Sequence, residues 1–127
     1  MCMEYKIFIL LVMIFCHIVD DYYLQGWLAL GKRKKWWEKL ELNNPEKYKY
    51  DYIMALFMHS FSWSFMIMLA PTLINKELFS LILFIANIII HMFVDNLKAN
   101  KMKINLVTDQ FIHLLQVVFT WIILIQL

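Results

Sequence analysis

The residues able to do chemistry in this chain recur at one spacing. His91 stands four residues before Asp95, Asp109 four before His113, and His17 four before Asp21, which in turn precedes Gln25 by four. Residues four apart stack on one face of a helix, so each histidine is brought against a carboxylate. His59 comes without such a partner. Neutral imidazole and carboxylate suit Zn²⁺, Mn²⁺ or Fe²⁺, and facing helices of a bundle can converge them. His17, Asp21, His59, His91, Asp95, Asp109 and His113 thus form a candidate ligand set, with zinc the leading metal. Seven groups exceed the four usual around one structural zinc. The excess implies either two ions or a share of ligand-orienting groups and catalytic bases. Asp20 lies about 100° around a helix from Asp21 and ranks below it as a partner of His17.

Two of these pairs frame a short basic turn, in the stretch from Ile88 to Leu115. Each pair sits in sequence apolar enough for lipid, where an ionisable side chain is costly and usually functional. The chain is 62% hydrophobic over 127 residues with a mean hydropathy of +0.61, which argues against a water-soluble globule. Two glycines and two prolines leave little material for loops. The expected fold is all-α: one domain over 1–127, a polytopic membrane protein with four transmembrane helices in a bundle. The spans fall at about 5–30, 51–74, 78–98 and 107–127, with a basic loop at 31–50.

Of twelve Lys and Arg residues, ten lie in the segments Lys32–Lys49 and Lys98–Lys103. Both segments fall on one side of a four-span protein, so the positive-inside rule places them in the cytoplasm and both termini outside. Every span then carries its polar groups toward its cytoplasmic end, late in spans one and three and early in spans two and four. Trp36 and Trp37 beside the cations suggest a short amphipathic segment on anionic headgroups, before the polar run Asn43-Asn44-Pro45. Basic residues and Trp alone are weak grounds for nucleic acid, and none is expected as a partner. Membrane lipids are, and self-association into a homo-oligomer is compatible with the pattern.

Cys2 and Cys16 form neither a disulfide framework nor a C-x-x-C motif. The N-terminus lacks an A-x-A cleavage site, so the first span is expected to persist in the mature protein. Lys98, one turn beyond Asp95, could hold a phosphate or simply complement the helix dipole. Ser60 and Ser62 fit helix packing, with no Ser-His-Asp order evident. Three chemistries remain open for the cluster: a metal site, a proton or ion path built from Asp and His, and a packing network. The last is the least economical, because polar contacts in membrane bundles contribute only about 1 kcal/mol, a small return for burying four carboxylates.

On His17 to Gln25 (H-I-V-D-D-Y-Y-L-Q), His59, His91 to Lys98 (H-M-F-V-D-N-L-K) and Asp109 to His113 (D-Q-F-I-H), the chain resembles a family of small bacterial and phage membrane proteins. These carry a domain of unknown function and are related to membrane-bound metal-dependent hydrolases. The resemblance spans nearly the whole chain and matches His17, Asp21, Gln25, His59, His91, Asp95, Lys98, Asp109, Gln110 and His113. Asp20 and the long basic loop are peculiar to this sequence. It implies a metal-dependent hydrolase of the bacterial cytoplasmic membrane, using one or two divalent ions to activate water. The four histidines with Asp21, Asp95 and Asp109 would hold the metal. Asp95, Asp109 and Lys98 are the candidate catalytic groups, and an anionic lipid or lipid-linked phosphate is the expected substrate. A metal-ion or proton transporter, and a non-catalytic interaction protein locked by a structural metal, are the alternatives.

Overall fold

A computed structural model describes residues 1–40 and 46–126, all helical or in connecting turns. Helix α1, Met3–Val19, runs directly into a π-helical turn over Asp20–Leu24. Gly26 then takes φ +53°, a left-handed conformation that L side chains rarely adopt, and the helix breaks there. The continuous element expected over 5–30 therefore ends at Leu24. Two short helices follow, α2 at Leu28–Gly31 and α3 at Lys34–Glu38. Asn43, Asn44 and Pro45 lie outside the described residues.

Helix α4, Asp51–Ile74, keeps Pro71 inside its last turn. A 3-10 turn at Lys76–Leu78 leads to α5, Leu81–Ala99, whose N-cap Ser80 accepts from the Leu83 N–H. Helix α6, Leu106–Trp121, is capped by Asn105, which accepts from the Thr108 N–H at 2.9 Å, and continues into a π-helical turn at Ile122–Gln126. These side-chain caps satisfy amide groups that a helix start otherwise leaves unpaired.

Four elements, Met3–Leu24, Asp51–Ile74, Leu81–Ala99 and Leu106–Ile125, are long and apolar enough to cross a membrane. They close into a square, α1 and α5 each lying against both α4 and α6. Ile9, Met13, Trp63, Ile67, Met68, Phe84, Ile88 and Val117 form its apolar core. At the terminal end, the Trp121 indole N–H donates to the Lys6 carbonyl. Midway along, Asn87, Gln116 and Thr120 bond one another between α5 and α6, with Gln116 Nε2 donating to Asn87 Oδ1 at 2.8 Å.

The outward faces invert the usual pattern of a soluble domain. Phe8, Leu11 and Phe15 on α1, Phe57, Phe61 and Phe65 on α4, Ile85, Ile89 and Phe93 on α5, and Phe111 and Phe119 on α6 are all exposed, while four histidines and three aspartates are buried. So much contiguous exposed apolar surface calls for an apolar covering.

A candidate metal centre

The ionisable groups meet where α1 and α5 end and where α4 and α6 begin. His17, His59, His91 and His113 are each at most 1% exposed. The three expected helical pairs are brought within 4 Å: His17 Nδ1 is 3.7 Å from Asp21 Oδ2, His91 Nε2 is 3.8 Å from Asp95 Oδ2, and His113 Nε2 is 3.4 Å from Asp109 Oδ1. The shortest approaches, at 3.2 Å, run between helices. His59 Nε2 lies 3.2 Å from Asp21 Oδ1, 3.2 Å from His91 Nε2 and 3.5 Å from Asp95 Oδ2. The other oxygen of Asp95 is 3.2 Å from His113 Nε2.

These spacings test whether an ion fits. A tetrahedral ion with bonds of ~2.0–2.1 Å holds its donors about 3.3–3.4 Å apart. The separations around His59 scatter about that value, and Asp21, His59 and His91 bring one donor atom each within 4.8 Å of one another, so these three could hold one divalent ion. His91, Asp95 and His113 form a second group close enough to share one. His91 belongs to both groups, and Asp95 presents Oδ2 to His59 and Oδ1 to His113. Asp21 Oδ1 and Asp109 Oδ1 are buried with no hydrogen-bond partner among the described residues, as expected of oxygens aimed at a cation. Lys32 and Lys98 pair with two of the four carboxylates, Asp95 and Asp109.

Several neighbours fix the donors. Asp20 Oδ2 lies 3.5 Å from His59 Nδ1, and Ser62 donates to the other Asp20 oxygen at 2.5 Å. A carboxylate behind the far nitrogen is the usual device for orienting a ligating histidine. Consecutive aspartates thus embrace the two nitrogens of one ring, and Asp20 takes a fuller part than its ranking below Asp21 suggests. The π turn beginning at Asp20 is the physical reason, because it alters the angular step between neighbours from the α-helical ~100°. His91 and His113 have no partner at Nδ1 among the described residues. Stacking positions them instead: His91 lies between Trp63, at 4.2 Å between ring centroids, and His113, at 4.0 Å.

The Trp63 indole N–H donates to His17 Nδ1 at 2.7 Å. Indole only donates, so Nδ1 accepts and the proton of the neutral His17 ring is on Nε2. His17 falls in neither group of converging donors; it joins the cluster through Trp63 and Asp21. Gln110 Nε2 reaches both Asp21 Oδ2, at 3.0 Å, and Asp109 Oδ2, at 3.1 Å. Gln25 donates to the backbone carbonyl of Asp21 and stays outside the cluster.

Lys98 Nζ donates to Asp109 Oδ2 at 2.6 Å. Lys32, absent from the sequence-derived set, is buried and donates to Asp95 Oδ2 at 2.5 Å. Its chain is fastened by Asn100, which donates from Nδ2 to the Lys32 carbonyl and accepts from the Lys34 N–H at Oδ1. Nothing in the run Lys32-Arg33-Lys34-Lys35 singles out its first member. Trp63 did leave a signal, since it stands four residues beyond His59 on the same helical face. No family model matches the chain, and neither does any curated protein or solved structure.

Proposed function

We propose that the chain is an integral membrane protein, with its basic end in the cytoplasm and both termini outside, that holds divalent metal at the Asp21, His59, His91, Asp95, Asp109 and His113 cluster and uses it for hydrolysis. The observation carrying this is the donor convergence at His59, where Asp21, His59 and His91 from three spans bring one donor atom each within 4.8 Å of one another. Zinc is the favoured metal because nitrogen and oxygen donors with tetrahedral spacing suit it. A bound divalent ion supplies Lewis acidity and lowers the pKa of water toward ~7. Asp109 is the proton acceptor of this scheme: its Oδ1 has no hydrogen-bond partner among the described residues, while Lys98 and Gln110 hold its Oδ2. His91 joins the two donor groups, and Asp95 spans from His59 to His113. The resemblance to membrane-bound metal-dependent hydrolases supports the same reaction class.

Elemental analysis of chain purified without chelator tests the proposal. One or two equivalents of zinc, manganese or iron are expected, lost in His91→Ala with helicity retained. A metal-free wild type that is fully folded would sink it. Passage of a proton or ion is a second reading, favoured by the Asn87–Gln116–Thr120 group that extends the polar column along the bundle. Metal-dependent flux through the chain in liposomes, without hydrolysis, would select it.

A further inference from the structure

A cleft of about 680 Å³ opens beside the metal centre, between the α2–α3 segment and the end of α5. Its lining includes five cations, Lys32, Arg33, Lys35, Lys39 and Lys98, and Asp95 as the carboxylate among them. Lys32 and Lys98 already serve carboxylates of the cluster. Arg33, Lys35 and Lys39 are exposed, and none makes an ion pair among the described residues. Among the described residues, then, these three cations face the cleft without a carboxylate paired to them. Arg and Lys together recognise phosphate well, Arg by a two-pronged hydrogen bond and Lys as a point charge.

The other walls are apolar. Leu30, Trp36, Met102 and Ile104 line the same cleft, and Leu30 and Met102 are exposed beside the apolar outer face of the bundle. A free phosphate has no use for such walls, whereas an amphiphile fills them with the carbon skeleton beside its head group. Asn100 clamps the Lys32–Lys34 backbone to α5, so the cations are presented from a fixed segment. Asp95 lines the cleft and belongs to the cluster, so the cleft borders the candidate metal centre.

We propose that this cleft binds the phosphate-bearing head group of a membrane lipid, with Arg33, Lys35 and Lys39 as its anion contacts and Lys32 between phosphate and Asp95. This rests on the chain being membrane-embedded and names the substrate class of the hydrolase. The test uses the full chain in detergent, with short-chain phosphatidic acid, inorganic phosphate and an uncharged diacylglycerol as probes. Phosphatidic acid is expected to bind at least about tenfold more tightly than either other probe. The triple variant R33Q/K35Q/K39Q, altered only at exposed positions, should lose about tenfold in that affinity while keeping its melting temperature and metal content. Unchanged affinity in the triple variant overturns the cleft assignment. So does a wild type that binds diacylglycerol as well, and inorganic phosphate binding as tightly overturns the lipid assignment. Phosphatidic acid binding by a chain that proves metal-free would defeat the hydrolase and leave the cleft standing; a metal-loaded chain indifferent to phosphatidic acid would do the reverse.

Discussion

Lys32 occupies an unusual position for a lysine, because its ammonium and the Asp95 carboxylate are both nearly sealed from solvent, at 9% and 5% side-chain exposure. Removing one partner of a buried ion pair strands the other charge and costs about 3–5 kcal/mol. Lys32→Met should accordingly lower the melting temperature of the metal-free chain. The same change exposes Asp95 Oδ2 to a cation without competition, so added Zn²⁺ should raise the melting temperature of the variant more than that of wild type. Melting curves in detergent, with and without Zn²⁺, check both effects; equal zinc-induced shifts would mean that Lys32 and metal do not share Asp95. Sequence revealed the histidine–aspartate pairs because their contacts are local, set by a four-residue helical spacing. It did not reveal Lys32, whose partner lies 63 positions away, nor the exchange of partners that puts His59 nearer Asp21 and His113 nearer Asp95. Those distances depend on how four helices meet, which no spacing within one helix encodes.

Two of the described residues take a left-handed backbone, one ahead of α2 and one in the turn between α5 and α6. Gly26 turns the chain at φ +53° after the π turn, and Met102 turns it at φ +53° after α5. The first is chemically suited, the second is not: a non-glycine residue in this region costs about 1–2 kcal/mol. Opposite substitutions should therefore act in opposite directions. Gly26→Ala should destabilise by about 1 kcal/mol, although an added Cβ there meets only a carbonyl oxygen at 3.9 Å. Met102→Gly should stabilise by up to about 1 kcal/mol, since relief of strain is partly offset by a more flexible unfolded chain. Thermal unfolding of the two variants checks the signs, and a shared sign would contradict the conformational account. Gly31 has a different constraint: an added Cβ would come within 2.7 Å of the Trp27 ring and 3.3 Å of the Ala55 Cβ, so its absence lets Trp27 and α4 pack close to α2. Helical periodicity located the long elements well, but the break after Leu24 escaped it. Apolar residues continue to Leu30, and one glycine among them does not reveal its φ.

At the scale of the molecule, the distribution of charge and apolar surface is a statement about surroundings. The Lys32–Lys34 segment and Asn100 touch, so the two basic stretches share one end of the bundle, while the Lys6 and Trp121 contact marks the opposite end, where α1 begins and α6 finishes. Hydropathy and charge counting anticipated this polarity because both are sums over many residues and tolerate local error. Lysines beside a span favour the cytoplasmic side, and the proposed orientation makes a definite chemical difference between the two ends. Cys2 is exposed at the N-terminal end, whereas Cys16 lies partly buried within the first span. In a Cys16→Ala background, a membrane-impermeant maleimide applied to intact bacterial cells should modify Cys2. Moving the thiol to the basic turn, with Cys2→Ser and Lys101→Cys, should abolish labelling until the membrane is permeabilised. Position 101 is exposed, so protection there would report the lipid barrier and not packing. The reverse pattern would put the basic end and its His/Asp cluster outside the cell, and labelling at both positions in intact cells would remove the membrane-spanning arrangement itself.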